Sequence, residues 1–153
     1  MGRNTQKKGR RASTYRSIEN LALWIMDICK KVPKCEPFKS QVKRINDEFV
    51  DALACCEDAN DTPVLEEKLE LIKIMRWHLK NTKVVVRLWH QYSLRNTDIK
   101  KILSEKQIAH YLEESALLGL RVKGWTNSIL IKQKQGFKLD PQKEENVKSN
   151  SEQ

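Results

Sequence analysis

The sequence predicts an all-α fold, an up-and-down antiparallel four-helix bundle. Three observations predict it. The chain of 153 residues holds only five Gly and four Pro, and its abundant Leu, Lys, Glu and Ile include the straight-chain types that lose little rotamer freedom in a helix. Apolar residues recur at steps of three and four in four separate segments, the spacing of one helical face. The breaks between those segments carry proline, Asn/Asp or capping residues, so each long periodic run ends where helix chemistry ends. A chain of this length buries most of its apolar surface without disulfides or a metal, and it reads as one domain over residues 15–131, between a basic arm (1–14) and a polar tail (132–153) expected to be disordered.

Helix one is expected over residues 15–31, where Ile18, Leu21, Ala22, Ile25, Ile28, Cys29 and Val32 form one stripe. Pro33 and Pro37 stop it. Helix two is expected over residues 40–56, with Val42, Ile45, Phe49, Leu53 and Cys56 facing the same core. Residues 57–62 (EDANDT) read as a turn, and Asp61 or Thr62 before Pro63 reads as an N-cap followed by a first-turn proline. Helix three then continues to about Ser93, and residues 96–98 break the pattern. Ser104 with Gln107 forms a capping box that opens helix four, which is expected to reach about Ile131. On helix four the face of Ile108, Leu112, Ser115, Gly119, Val122 and Thr126 is small in the middle and suits a closely approaching neighbour, while Tyr111, Leu118, Trp125 and Ile129 supply bulk beside it. Arg121 and Lys123 read as cations near that helix's C-terminal dipole.

Charge is distributed unevenly. The net charge of +9 arises mainly from residues 1–16, which hold six Lys/Arg and no acid. Residues 17–131 hold 18 basic and 16 acidic residues, so a basic patch there requires segregation. Helix three supplies it: at 100° per residue, Lys73, Arg76, Lys80, Lys83 and Arg87 share one face within about 80° of each other. The core arc of Leu71, Ile72, Met75, Leu79, Val85, Val86 and Trp89 lies largely opposite. Trp77, Val84 and Leu88 fall between the two, partly exposed in a monomer and placed to form an oligomer interface. By helix geometry alone the row reads as a solvated lysine-rich face, with Trp77 laid over a neighbouring helix. The acid-free arm, with Arg10 and Arg11, shifts the balance toward an anionic partner, because a phosphate backbone relieves the repulsion of a like-charged strip.

Several function classes find no support in the residues. No run reaches the ~18 apolar residues of a transmembrane helix and no apolar segment follows the basic start, so the chain reads as soluble and cytoplasmic, with no membrane partner. Cys29, Cys35, Cys55 and Cys56 form no C-x-x-C pair and are expected to be reduced, core-type thiols. No metal site or cofactor is expected. Glycine-rich phosphate loops, H-E-x-x-H and paired-acid motifs are absent. Bundle ribonucleases of toxin–antitoxin systems, which pair an Arg with a His four to six residues on, do not fit, since Arg87 and His90 have only two residues between them. His78 and His90 read as structural, and the chain as a binding protein rather than an enzyme.

Two stretches resemble a known family. YRSIENLALWIMDICKKVPKCEPF is an aromatic-bearing amphipathic helix ending in Lys-Val-Pro-Lys, and LSEKQIAHYLEESALLGLRVKGWTNS opens with Ser-x-x-Gln and closes on Gly124 and Trp125. Together they resemble the bacterial four-helix-bundle family that includes the accessory variability determinant of diversity-generating retroelements and the proteins of ribosomal-RNA intervening sequences, over residues 15–128. The resemblance implies a homopentameric barrel. It further implies an accessory subunit of a reverse transcriptase that also binds template RNA or complementary DNA, with Arg76, Lys80, Lys83 and Arg87 as binding residues. The alternative branch implies a ribosome- or RNA-associated bundle without a polymerase partner. The chain departs from the family pattern in its longer connection RNTDIKKI, in Lys123 where a glycine usually precedes the terminal Gly-Trp, and in its longer tails.

Overall fold

The computed structural model describes the backbone of residues 2–96 and 102–139, with side chains over 14–96 and 102–136. Four helices make up the described chain, which has no strand: α1 (Gly2–Cys29), α2 (Phe38–Asp61), α3 (Leu65–Arg95) and α4 (Glu105–Leu139). They neighbour one another in sequence order, and α4 returns against α1. Cross-helix bonds fix the directions. Glu48 meets His78 and Gln41 meets Trp89 between α2 and α3. Thr82 meets Tyr111 and His90 meets Glu105 between α3 and α4, and Arg121 meets Ser17 between α4 and α1. In the α2–α3 and α3–α4 pairs one residue number rises as the other falls, and between α1 and α4 Trp24 stacks on Tyr111 while Ser17 meets Arg121, so these helices run antiparallel and the fold is a four-helix bundle.

The core follows the expected stripes. Ile18, Leu21, Ile25 and Ile28 of α1, Ile45, Phe49 and Cys56 of α2, and Ile72, Met75, Val86 and Trp89 of α3 are buried. From α4 come Ile108, Tyr111, Leu118, Val122 and Ile129. Leu71, Leu79, Val42 and Leu53 pack at the margin, half-buried.

Helix boundaries differ from the expected ones in physically instructive ways. Residues 57–61 are not a turn, because α2 continues to Asp61. Ala59 is fully buried there, and Lys68 Nζ reaches back from α3 to donate to the carbonyls of Ala59 (2.7 Å) and Asn60 (3.4 Å). The α2 terminus is thus capped from outside by a cation, which suits the negative end of the helix dipole. Asp61 and Thr62 consequently do not cap α3, and Pro63 is not its first residue. The N-cap position falls to Val64, which has no side-chain bond to offer. Thr62 instead accepts from the Val64 N–H (3.3 Å) and donates to Glu67 Oε2 (2.6 Å). Glu66 and Glu67 place negative charge on the first turn of α3.

The capping box of Ser104 and Gln107 forms as expected, with the Ser104 N–H donating to Gln107 Oε1 (2.9 Å) and the Gln107 N–H donating to Ser104 Oγ (3.1 Å). α4 runs to Leu139 rather than stopping near Ile131, since Lys132, Gln133, Lys134 and Gln135 are good helix formers and no proline intervenes. Arg121 therefore sits inside the helix, not at its C-terminal dipole, and donates to Ser17 Oγ of α1 at 2.8 Å. α1 begins at Gly2 rather than near Tyr15, because Gln6, Lys7, Lys8, Arg10, Arg11 and Ala12 also favour helix. The side chains of Arg10 and Arg11, and the tail from residue 140 onward, lie outside the described residues.

Candidate functional site

The residues of α3 divide into three faces. One is buried against α2: Trp89 Nε1 donates to Gln41 Oε1 at 2.7 Å, and Glu48 accepts from Asn81 Nδ2 at 3.1 Å while its other oxygen pairs with His78 Nδ1 at 2.5 Å. Both histidines expected to be structural therefore hold carboxylates, His78 that of Glu48 and His90 that of Glu105.

The second face is cationic. Lys73, Arg76, Lys80 and Arg87 are exposed and Lys83 is half-buried. None of the five makes an ion pair or hydrogen bond among the described residues, although α3 and its neighbours carry carboxylates. An unneutralised row of this kind holds a positive potential along its length.

The third face is apolar and open. Trp77, Val84 and Leu88 are 58%, 57% and 53% exposed, so nothing among the described residues covers them. Trp77 lies edge-on to the adjacent His78 ring, with centroids 5.1 Å apart, and does not drape over another helix. Leu23 and Met26 on α1 and Leu117 and Leu120 on α4 are also largely exposed.

What the row faces was not legible in the helical pattern. Arg76, Lys80 and Lys83 border a groove of about 200 Å³ that opens between α3 and α4 with Leu21 of α1 at its base. Leu79, Leu118 and Val122 complete an apolar floor, and Thr82, Tyr111 and Ser115 contribute hydroxyls. Those hydroxyls are linked: Thr82 Oγ1 lies 2.7 Å from the Leu79 carbonyl and 3.1 Å from Tyr111 Oη. Burial pushes the Tyr111 phenol above its ordinary pKa, while hydrogen bonds with Thr82 and Ser115 and the charge of Arg87 pull the other way. Lys73 lies on the same face of α3 but outside the groove.

Gly119 also borders the groove. A β-carbon there, or at Gly124, meets nothing within 4 Å. The small face of α4 consequently does not bring a neighbouring helix of the same chain close, contrary to the expectation from its composition. Instead it leaves a space. α3 meets α4 far less intimately than it meets α2.

The cysteines contribute no chemistry to this site. All four are free thiols, burial pushes Cys29 and Cys56 up to about 11 and raises Cys55 as well, and a thiol held neutral is a poor nucleophile. No group of three or more His, Cys, Asp or Glu side chains gathers at metal-binding distance among the described residues. No helix among them is long and apolar enough to cross a membrane.

Fold and site together define a four-helix bundle with a cationic ridge beside an amphiphilic groove. No protein-family model, curated protein or solved structure matches the chain.

Proposed function

We propose that this protein is a non-enzymatic accessory subunit that binds nucleic acid through the cations of α3, in the manner implied by its resemblance to the retroelement accessory family: partner of a reverse transcriptase, homo-oligomeric, and active on template RNA or complementary DNA. The observation that supports this reading is the row Lys73, Arg76, Lys80, Lys83 and Arg87, five cations on one helix face with no ion-pair partner among the described residues. Such a row neutralises phosphates and releases their counterions, giving affinity without sequence readout. The exposed Trp77, Val84 and Leu88 beside it support self-association, and in a closed ring of subunits the rows would repeat around one axis.

The test is a salt titration of RNA and DNA binding with the native chain and with Lys80→Glu/Lys83→Glu. Affinity of the native chain falls steeply with salt, and the double variant binds weakly with unchanged helical circular dichroism. Undetectable binding at low salt removes the electrostatic half of the reading. Co-purification with a reverse transcriptase distinguishes the retroelement role from that of an intervening-sequence bundle without a polymerase, and sedimentation reports the oligomer.

A further inference from the structure

The groove beside the cationic row has a shape and chemistry that a phosphate-binding strip does not need. A strip that only neutralises a backbone works best flat and polar, with every cation pointing to water. Here Arg76, Lys80 and Lys83 instead rim a recess floored by Leu21, Leu79, Leu118 and Val122. A bare phosphate gains nothing from that floor, which would only desolvate it.

We propose that the groove takes one unstacked nucleobase while Arg76, Lys80 and Lys83 hold the phosphates on either side of it, so that the protein selects single-stranded over double-stranded nucleic acid. The proposal rests on the polyanion reading above and names the form of the ligand. Three features carry it. The first is size: the recess of about 200 Å³ is on the scale of a single ring system.

The second is chemistry. An aliphatic floor offers a π-face dispersion and water exclusion, and the half-buried Ser115 hydroxyl, backed by the paired hydroxyls of buried Thr82 and Tyr111, offers a donor or acceptor to a base edge. The third is charge placement. Arg76 and Lys83 are two turns apart on α3, about 10 Å along the axis, with Lys80 between them. They can therefore bracket one nucleotide. A duplex presents its phosphates on a convex surface with its bases paired and stacked inside, so it reaches the cations and leaves the floor empty. Single strands give up little to unstack a base and gain that contact.

The test uses the full chain and an oligonucleotide carrying one 2-aminopurine, offered as a single strand and annealed to its complement at the same salt. The single strand is expected to bind roughly tenfold tighter, equivalent to ~1.4 kcal/mol, and its fluorescence to rise as the base leaves the stack. Gly119→Leu then fills the groove without removing a cation. Apart from its own helix backbone, no atom of the described residues lies within 4 Å of a β-carbon at this position, and Leu is the better helix former. The variant should bind duplex as the native chain does and lose both the single-strand preference and the fluorescence rise.

Equal affinity of the native chain for the two forms, or a flat 2-aminopurine signal on saturation, overturns the proposal while leaving backbone binding in place. A Gly119→Leu chain with native helicity and undiminished preference overturns it as well. Failure of both oligonucleotides to bind is a different result, because it removes the polyanion reading and this inference with it.

Discussion

The two seams on either side of α3 are built on opposite plans. Against α2, polar groups that enter the seam find partners across it: Trp89 with Gln41, His78 and Asn81 with Glu48, Lys68 with the carbonyls ending α2. Against α4, Thr82 still meets Tyr111 and His90 meets Glu105, but the cations find no partner among the described residues, the small face of α4 stands off, and a groove remains. One helix therefore serves as the stability element on one side and as the recognition element on the other. The lesson is that α3 can be altered heavily on its open side at little cost in folding, and hardly at all on its closed side.

The largest break of that comparison is Trp89→Ala. The indole is 1% exposed, and its loss removes a large core side chain and leaves Gln41 Oε1 without its donor. A destabilisation of about 4 kcal/mol is expected in urea unfolding. Lys68→Met keeps the aliphatic stem but removes the cap of α2, and is expected to cost about 2 kcal/mol. If that variant unfolds like the native chain, the outside cap contributes nothing to the length of α2.

Alkaline pH tests the packing that surrounds the buried thiols. Cys29 and Cys56 hold their protons to about 11, against 9.0 for a free thiol. Between those values the unfolded chain has released protons that the folded chain still binds, so stability falls as pH rises through that window. Thermal midpoints measured from pH 8 upward should drop, and a Cys29→Ala/Cys56→Ala chain should drop less steeply. The smallest effect belongs to the open seam. Gly119→Ala adds a β-carbon into empty space and removes a helix-interior glycine, so it should stabilise by up to ~1 kcal/mol. A loss instead would mean that something does approach that face.

The helix count, the core stripes and the start of α4 were legible because each depends on short-range spacing. Ser104 and Gln107 sit three residues apart and make their bonds within one turn. The exposure of Trp77, Val84 and Leu88 was legible for the same reason, since a wheel of α3 places them off its core arc. The end of α2 was not. Residues 57–61 carry turn-favouring Asp and Asn, but Ala59 is packed in the core and a lysine nine residues beyond it folds back in space to donate a hydrogen bond to its carbonyl. The groove was less legible still. Its existence depends on the separation of α3 and α4, and the glycine that suggested close packing is equally compatible with a space. Sequence periodicity says which face points inward, but it carries no measure of how far away the facing helix lies.

The unneutralised row has a further consequence for how the protein responds to its medium. Like charges one turn apart disfavour a helix by a few tenths of a kcal/mol per pair, so added electrolyte relaxes α3 by screening Lys73, Arg76, Lys80, Lys83 and Arg87 from one another. The same electrolyte competes for the phosphates they are proposed to hold. Ionic strength should thus raise the melting temperature of the free protein and lower its affinity over the same range. A bound strand takes the place of the salt, so the complex should be most thermostable, relative to the free chain, where the free chain is weakest.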